Sequence, residues 1–457
     1  MFSDAYKIFD IAVTGGKIAD VESGRFYEGN IGILNGIIEY IGDATIFAKQ
    51  NIDASGRIVS PGFIDFHSHI DGNTYSGECL VRQGGTTTLG GERMINSKRV
   101  RSLADGFIVN QGYSVSQSFV LRQAVGIHDS KRPATRGEIS IMTNLARHFL
   151  SNGAYSINFA LELVPGTSFD ELLAIANVAK EFDRPITVHM RKDGMEALDC
   201  FREIIDVGKL TGVKIQILQL MYMVGIGGAM PKAIEIIEDA LDRGLDITCD
   251  SGVYDAYCAS VGTGIFDKGF EKGYGNFSVN DLIVSSGIYC GSNCTAELFD
   301  ELRKDYPQTL VTAFVCDPEA VEMALKKDYI YVSTNAADGP HYPGIGAPEV
   351  AGTYPRLLGK YVRENRTLPL IEALRKITIL PARRFGIDNV GEIKQGMNAD
   401  IVIFDPDTID DRADFIGRGR PDLPPVGIDY VIVNGEIVVD HGELTENTKA
   451  GRLIKKL

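Results

Sequence analysis

The sequence predicts an α/β fold in which a (β/α)8 barrel is joined to a small β domain built from both termini. Both ends of the chain consist of short apolar alternations separated by glycine, which is typical of β structure. The long middle part alternates strand-like apolar runs with amphipathic helices, the pattern of a parallel α/β architecture. The 457 residues exceed one ordinary domain and accommodate a barrel of roughly 300 residues with a smaller companion.

The terminal β domain is predicted from residues 1–60 and 389–457. Asn35-Gly36 lies between two apolar runs, and this dipeptide favours the tight turn of a β-hairpin. Asn434-Gly435 repeats the signal near the C-terminus. We therefore expect the two blocks to pair in one sheet-based domain, with residues 61–388 forming the barrel between them.

The barrel is predicted from a regular series of strands and helices. A helical stripe of apolar residues covers residues 138–150, and Ser168 with Glu171 predicts a capping box for a helix that reaches residue 182. The strand candidates are short apolar runs at intervals along the chain: residues 62–66, 86–89, 113–119, 156–161, 186–189, 213–219, 245–250 and 329–334. Eight such strands are the number that a (β/α)8 barrel requires.

An open, doubly wound sheet is the alternative architecture. It would place a ligand at a helix N-terminus beside a glycine-rich turn. Gly84-Gly85 and Gly90-Gly91 do not form a G-x-G-x-x-G fingerprint, and the cluster Gly225-Ile-Gly-Gly228 has low specificity. The barrel is therefore favoured, and its functional residues are expected at the C-terminal ends of the strands.

Composition excludes several classes of function. A hydrophobic content of 44% and a charged content of 23% are typical of a soluble globular protein, and no apolar stretch is long enough to cross a bilayer. The first ten residues lack the pattern of a signal peptide, so we expect a cytoplasmic location. The net charge of −15 argues against nucleic-acid partners. Seven cysteines without a secretion signal predict free thiols rather than disulfides.

The first chemical signal is a His-x-His motif. Residues 61–71 read Pro-Gly-Phe-Ile-Asp-Phe-His-Ser-His-Ile-Asp. Residues i and i+2 of a strand point to the same side, so His67 and His69 should project together from the end of the first barrel strand. Imidazole is the commonest protein ligand for zinc and similar ions. Because a lone His-x-His also occurs by chance on strand ends, the rest of the chain must supply further ligands.

Other strand ends supply candidates for those ligands. His189 ends the apolar run 185–189 and is the best third ligand. Asp338 follows the run 329–332 and is a candidate ligand or proton carrier. Asp250 competes for this role, but it could equally hold a strand-end loop by accepting backbone N–H bonds. His341, in a loop rich in glycine and proline, could contact substrate.

The motif at residues 61–71 resembles the first metal-binding strand of the amidohydrolase superfamily. Nearly the whole chain is similar to the branch of D-aminoacylases and N-acyl-D-amino-acid deacylases. The matching stretches are residues 120–126, 161–166, 188–191, 352–359, 361–364 and 399–405. The resemblance implies a barrel with a β-sandwich built from both termini. It also implies hydrolysis of a carbon–nitrogen bond other than a peptide bond, in which a metal-activated water attacks an amide carbon.

The resemblance also implies roles for individual residues. His67, His69 and His189 match metal ligands, and Asp338 matches the carboxylate that binds metal and shuttles the proton. The implied ion is divalent: zinc, or alternatively iron or manganese. The residues implied to lie against the substrate are Tyr254, Ser260, Gln219, Arg191 and His341, of which the first two match positions that help to hold a substrate carboxylate.

Three departures from the family pattern alter the predicted site. The family's Gly-Asn-Cys-Gly stretch, with its Cys ligand, appears here as Gly90-Gly-Glu-Arg-Met94, and its Ser-His-Leu-Lys stretch appears as Leu218-Gln-Leu-Met221. A His-Pro-Arg segment is replaced by Ala347-Pro-Glu349. Two ligands of one metal position are thus missing, which predicts one bound ion rather than two. Glu92 is a candidate bridging ligand, although a solvated Glu92 or one paired with Arg93 is an equal alternative.

The predicted reaction is D-aminoacylase-like hydrolysis of a small-molecule amide, and two other functions remain open. With basic residues replaced at positions 221 and 349, a neutral, cationic or cyclic amide competes with an N-acyl-D-amino acid. One alternative is a single-ion cyclic amidase of the hydantoinase or dihydroorotase type, or a deaminase. The other is a barrel that has lost catalysis and serves binding. Residues 262–294 are predicted to form a lid, and a homo-oligomer is compatible with the sequence.

Overall fold

The computed structural model describes residues 8–70, 72–90, 106–274, 277–336, 342–446 and 449–457. Within these ranges the chain forms strands β1 to β21 in chain order: Ile8–Asp20, Arg25–Leu34, Ile37–Gly42, Phe47–Asp53, Ile58–Pro61, Phe63–Asp65, Gly85–Gly90, Asn110–Tyr113, Val115–Ser116, Ile157–Ala160, Ile186–His189, Ile215–Ile217, Ile247–Ser251, Tyr257–Ser260, Leu282–Val284, Leu310–Ala313, Ile330–Val332, Ile401–Phe404, Ile428–Val433, Glu436–Asp440 and Glu443–Leu444.

Helices separate the strands in the middle of the chain. The α-helices are Thr74–Arg82, Arg122–Ala124, Arg136–Ser151, Phe169–Glu181, Ala197–Thr211, Leu220–Val224, Met230–Asp242, Ala296–Asp305, Pro318–Leu325, Glu349–Arg356, Leu370–Ile377 and Ile379–Phe385. Gln117–Leu121 and Leu357–Glu364 are π-helical, and short 3₁₀ turns lie at Gly194–Glu196, Gly264–Phe266, Phe270–Tyr274 and Val279–Asp281. Among the described helices, none combines the length and the apolar character needed to cross a membrane.

The two termini share one nine-stranded sheet, as the sequence predicts. Its order is β21-β20-β19-β18-β5-β1-β2-β3, with β4 pairing with β1. The N-terminal and C-terminal parts meet where β18 runs antiparallel to β5. Asn35 and Gly36 form the predicted two-residue turn between β2 and β3, with φ angles of 52° and 80° that favour these residue types. A separate apolar cluster, which includes Ile18 and Ile401, fills this region.

The middle of the chain carries parallel strands, which confirms the predicted α/β class. One six-stranded sheet has the order β17-β13-β12-β11-β10-β9, and one three-stranded sheet has the order β6-β7-β8. Hydrogen bonds outside these ladders connect the two sheets at both edges. Ser114 N–H donates to Gly90 O (2.7 Å) beside β8 and β9, and Asn335 N–H donates to His67 O (3.1 Å) beyond β17 and β6. The carboxylate of Asp65 also accepts the backbone N–H of Thr334 at 3.0 Å.

The predicted strand over residues 113–119 is wrong in its second half. It ends at Ser116, and residues Gln117–Leu121 form a π-helical turn. The Ser116 hydroxyl accepts the N–H of Phe119 at 3.1 Å, so its side chain caps a helix at this point. The apolar composition of the run is compatible with either state, and the cap decides between them.

The predicted capping box at Ser168 is half formed. The Ser168 hydroxyl accepts the N–H of Glu171 (3.2 Å), but the Glu171 carboxylate does not return to the Ser168 backbone. Instead it accepts hydrogen bonds from Arg122 (2.7 Å) and Gln117 (2.5 Å) in the interior. The buried Arg122 guanidinium next to the start of the helix thus replaces the Ser168 backbone N–H as the partner of the Glu171 carboxylate.

The predicted lid over residues 262–294 contains three 3₁₀ turns and strand β15. Aromatic side chains fix its course: Phe266 contacts Phe270 edge-on with ring centroids 5.3 Å apart, and Phe270 stacks on Phe299 at 5.9 Å. Phe299 belongs to the helix Ala296–Asp305, and β15 pairs antiparallel with β16. Its role as a lid stays a prediction.

Candidate metal centre and active site

The first histidine of the His-x-His motif is held by a buried carboxylate. His67 follows β6, is 3% exposed, and its Nδ1 lies 2.8 Å from Asp250 Oδ2. Asp250 also accepts the Ser333 hydroxyl and, at 2.8 Å, the backbone N–H of Gln219. A carboxylate can only accept, so the His67 Nδ1 carries the proton and Nε2 keeps its lone pair. This is the form of imidazole that binds a metal, with a carboxylate as its outer partner.

Both residues of the motif face one cavity, as their i, i+2 spacing predicts. The His67 and His69 rings lie edge to face with centroids 5.3 Å apart. The cavity is walled by the loops that follow several parallel strands, together with β14 and the start of the predicted lid. It is lined by His67, His69, Phe119, Ala160, Glu162, Leu163, His189, Asp193, Leu218, Gln219, Tyr222, Tyr257, Cys258, Ala259, Ser260, Thr263, Ile265 and Asn335.

His189 lies in this cavity beside two carboxylates that the sequence did not single out. His189 ends β11 and pairs in register with Ala160 at the end of the neighbouring β10, so Glu162 comes close to it. His189 Nε2 lies 3.0 Å from Glu162 Oε2, and ligand atoms of both residues lie within 4.8 Å of one from Asp193. Glu162 directly follows the predicted strand 156–161, and this position was the signal that could have identified it.

The Asp193 carboxyl has an unusual environment. Burial raises its pKa well above the ordinary value, the nearby negative charge of Glu162 raises it further, and Lys192 opposes the rise. Perturbed acids of this kind concentrate at functional sites.

Two of the predicted substrate residues line the cavity. Gln219 adopts a left-handed backbone conformation (φ 58°) at the end of the β12 segment, and its side-chain amide donates to the Asn335 side chain. Ser260 ends β14 on the opposite wall. Both are therefore placed where a bound molecule would contact them.

Two other predicted substrate residues are engaged away from the cavity. The ring of Tyr254 is fully buried, its hydroxyl donates to Asp411 (3.2 Å), and the Arg356 guanidinium lies 4.4 Å from its centroid. Arg191 forms two hydrogen bonds to the Glu203 carboxylate (2.8 and 3.0 Å) and two to backbone carbonyls, those of Pro165 (3.0 Å) and Thr167 (2.5 Å). Neither side chain lines the cavity. Both side chains are engaged with neighbouring carboxylates, and their role in substrate binding stays a prediction.

Three predicted site residues lie outside the described residues: Asp338, His341 and Glu92. The proton shuttle, one substrate contact and the bridging ligand therefore stay predictions.

The chemistry of the side chains at the cavity fits a divalent metal. Imidazole nitrogens and carboxylate oxygens are the donors that zinc, iron and manganese accept in proteins. His67 is already held in the required tautomer by Asp250. His189 adds a further nitrogen with a carboxylate 3.0 Å away. The donor set thus suits a catalytic ion with open positions.

The chain is similar to known amidohydrolases. A model of the amidohydrolase family matches residues 341–439. The chain is 27% identical to a D-aminoacylase from Alcaligenes xylosoxydans xylosoxydans, over 98% of this chain and 98% of that protein. It is 25% identical to an N-acyl-D-glutamate deacylase from the same organism, over 98% and 96%.

The fold agrees as well. The crystal structure of an N-acyl-D-glutamate deacylase from Bordetella bronchiseptica, complexed with zinc and a phosphonate inhibitor, superposes with a TM-score of 0.86 at 23% identity, covering 98% of this chain and 100% of that one. These findings confirm the resemblance to the D-aminoacylase branch of the amidohydrolase superfamily. They also confirm the predicted class of enzyme, an amidohydrolase acting on carbon–nitrogen bonds other than peptide bonds.

Proposed function

We propose that this protein hydrolyses the amide bond of a small N-acyl compound, with a divalent metal ion bound in the described cavity. The observation that carries the proposal is the pair His67 and His69 at one cavity, with His67 held by Asp250 in its metal-binding tautomer. Relatives named D-aminoacylase and N-acyl-D-glutamate deacylase, aligned with 98% of the chain, make an N-acyl-D-amino acid the first substrate class to test.

We also infer that the two parallel sheets close into one (β/α)8 barrel between residues 61 and 388, with a β-sandwich formed by the terminal parts. The hydrogen bonds Ser114 to Gly90 and Asn335 to His67 support this closure, since they join the sheets at both edges. In such a barrel the residues after the strands share one face. His189 is the last residue of β11, Asp250 is the last but one of β13, and His67 and Glu162 follow β6 and β10 by two residues.

In the proposed reaction His67, His69, His189 and Asp338 would hold the ion. The ion would polarise the amide carbonyl and acidify a water molecule. Asp250 keeps the proton on His67 Nδ1 throughout, because the Ser333 hydroxyl and the Gln219 N–H fix the carboxylate from other sides. Asp338 would accept the proton of the attacking water and deliver it to the leaving nitrogen.

The cavity favours one type of substrate within this class. Among the described lining residues none is Lys or Arg, while Glu162 and Asp193 are acidic. Phe119, Leu163 and Ile265 provide apolar surface suited to an acyl chain. N-acyl compounds with a neutral or cationic remainder should therefore be better substrates than N-acyl-D-glutamate, because the described lining offers no basic side chain to pair with its second carboxylate.

The proposal is tested with zinc-loaded protein and a panel of N-acyl-D-amino acids bearing neutral, cationic and acidic side chains, together with their L-enantiomers and cyclic amides. We expect hydrolysis of at least one N-acyl-D-amino acid, and its loss on metal removal with recovery on reloading. Absence of turnover across the panel by fully metal-loaded, folded protein would contradict the proposal.

The site assignment is tested by His67→Ala. Loss of a metal ligand should lower kcat/KM by more than about 100-fold, since even outer-shell partners of a ligand typically contribute 10- to 100-fold. His148→Ala is the matched control because His148 is exposed on the helix Arg136–Ser151. Equal turnover by the two variants would show that His67 is not part of the centre.

A further inference from the structure

We propose that Glu162, His189 and Asp193 form a second divalent-metal position, so that His189 serves this position instead of the ion held by His67 and His69. This inference deepens the proposed function and rests on it, because both positions line one cavity. It also revises the sequence-based prediction of one bound ion.

The backbone brings the three residues together. β10 and β11 are adjacent parallel strands, and Ala160 pairs in register with His189. Glu162 lies two residues beyond Ala160, and Asp193 lies four residues beyond His189, before the short turn Gly194–Glu196. Two loops that leave neighbouring strands at the same edge therefore direct three donor groups into one corner of the cavity.

The spacing of the donor atoms fits a single ion. His189 Nε2 and Glu162 Oε2 are 3.0 Å apart, and one ligand atom from each of the three residues lies within 4.8 Å of the others. An ion bound at about 2.0–2.2 Å from nitrogen and oxygen places neighbouring ligand atoms about 3–4 Å apart. Modest side-chain movement completes this geometry.

The local charge also favours a cation. The side chains of Glu162 and His189 are 12% and 18% exposed, so they are largely removed from water. Like charges held close in a partly buried corner repel unless a cation or a proton compensates them. Among the described residues, Lys192 is the cation that lowers the Asp193 pKa, and this residue is exposed to solvent. A divalent ion would compensate both carboxylates.

The test is metal content. Wild-type protein, Glu162→Gln, Asp193→Asn and His67→Ala are stripped with chelator, reloaded with Zn²⁺, freed of excess metal by gel filtration, and analysed by elemental mass spectrometry. We expect about two ions per wild-type chain and about one in each variant, because each replacement removes a donor from one position only. Glu196→Gln, which removes an exposed charge three residues from Asp193, should keep about two.

Cobalt loading gives a second readout that does not depend on turnover. Asp193→Asn should lose the part of the Co²⁺ visible spectrum that His67→Ala retains, because the two variants disable different positions. Two ions bound by Glu162→Gln and Asp193→Asn would overturn the proposal. The proposal would also be overturned if these variants kept their metal content and selectively lost activity toward cationic substrates, since the carboxylates would then bind substrate. Failure of wild-type protein with two bound ions to hydrolyse any amide would contradict the proposed function and leave this position standing.

Discussion

Asp250 connects four parts of the site through one carboxylate. It belongs to β13 and contacts His67 after β6, Ser333 after β17 and the backbone of Gln219 after β12. The sequence allowed two roles for it, a metal ligand or a carboxylate that holds a strand-end loop. The Gln219 N–H bond matches the second role, and the contact with His67 adds a positioning function that the sequence did not indicate.

Replacing Asp250 should therefore weaken metal binding without removing a ligand. In Asp250→Asn an amide NH₂ can face His67, which favours the tautomer that carries its proton on Nε2. We expect metal affinity and kcat/KM to fall by about 10- to 100-fold, as for other outer partners of metal-bound histidine. Affinity is measured by competition with a chelating dye. Asp242→Asn, at the exposed end of the helix Met230–Asp242, is the control, and an Asp250→Asn affinity equal to that control would refute the positioning role.

At the scale of single residues, sequence patterns placed the histidines at the cavity more reliably than the longer polar side chains. The i, i+2 spacing placed His67 and His69 together, and the strand end placed His189 in the same cavity. Arg191 and Tyr254 were expected near substrate, yet Glu203 and Asp411 hold them elsewhere. Long side chains bend toward the nearest opposite charge, and the position of that charge depends on distant segments.

At the scale of elements, a buried ion pair joins two helices. Arg122 and Glu171 are 1% and 0% exposed, and Arg122 Nη1 lies 2.7 Å from Glu171 Oε2. Arg122 follows the π-helical turn Gln117–Leu121, and Glu171 lies in the first turn of the helix Phe169–Glu181. The pair therefore fixes the direction of both elements behind Phe119, which lines the cavity.

Glu171→Gln should destabilise the fold strongly. It leaves the Arg122 guanidinium buried without a counter-charge, and breaking one partner of such a pair costs about 3–5 kcal/mol. Thermal and urea unfolding of the metal-loaded protein measure the effect. Asp170→Asn removes an exposed charge from the same helix turn and should change stability by less than about 1 kcal/mol. A Glu171→Gln variant as stable as Asp170→Asn would show that the pair contributes little.

Most strands and helices in the middle of the chain were predictable because their signals are local. The strand over residues 186–189 agrees with the structure, and other parallel strands differ by a few residues at their ends. The error at residues 117–119 arose because an apolar run fits a strand or a helix equally. The Ser116 hydroxyl, which caps the turn, and the buried pair of Arg122 and Glu171 select the helical state. The buried pair depends on tertiary packing and is therefore invisible to a local pattern.

At the scale of the whole molecule, Asp400 joins the terminal sheet to the parallel strands. Its carboxylate accepts the side-chain N–H of Asn110 in β8 (2.9 Å) and the backbone N–H of Asn434 (2.6 Å). The Asn434 side chain in turn donates to Asn110 (2.7 Å) and to Ala450 O (2.9 Å). Burial raises the Asp400 pKa to about 7, although the hydrogen bonds and Arg452 oppose the rise.

This raised pKa predicts a pH dependence of stability with a definite sign. Between about pH 4 and pH 7 the folded protein holds a proton on Asp400 that the unfolded chain has released, so the Asp400 contribution to stability falls as pH rises through this window. It levels off above about pH 7. Asp400→Asn removes the titration, so its free energy of unfolding relative to wild type should rise with pH by up to about 4 kcal/mol. Its melting temperature relative to wild type should rise in the same direction.

Thermal melts of both proteins across this pH range measure the difference. Asp407→Asn, an exposed neighbour, serves as the control and should track wild type at every pH. If the difference in melting temperature between wild type and Asp400→Asn does not change with pH, Asp400 is ionised throughout this range.

The sequence by itself determined the α/β class, the pairing of both termini in one sheet, the positions of the strands, and the histidines at their ends. These features follow from local periodicity, turn chemistry and a motif of contiguous residues. Only the tertiary structure decided which carboxylates meet those histidines. Glu162 and Asp193 lie in separate loops and Asp250 lies in β13, and their partners are set by the register of neighbouring strands and by burial. These effects act between residues far apart in sequence, 27 positions for Glu162 and His189 and 183 for His67 and Asp250.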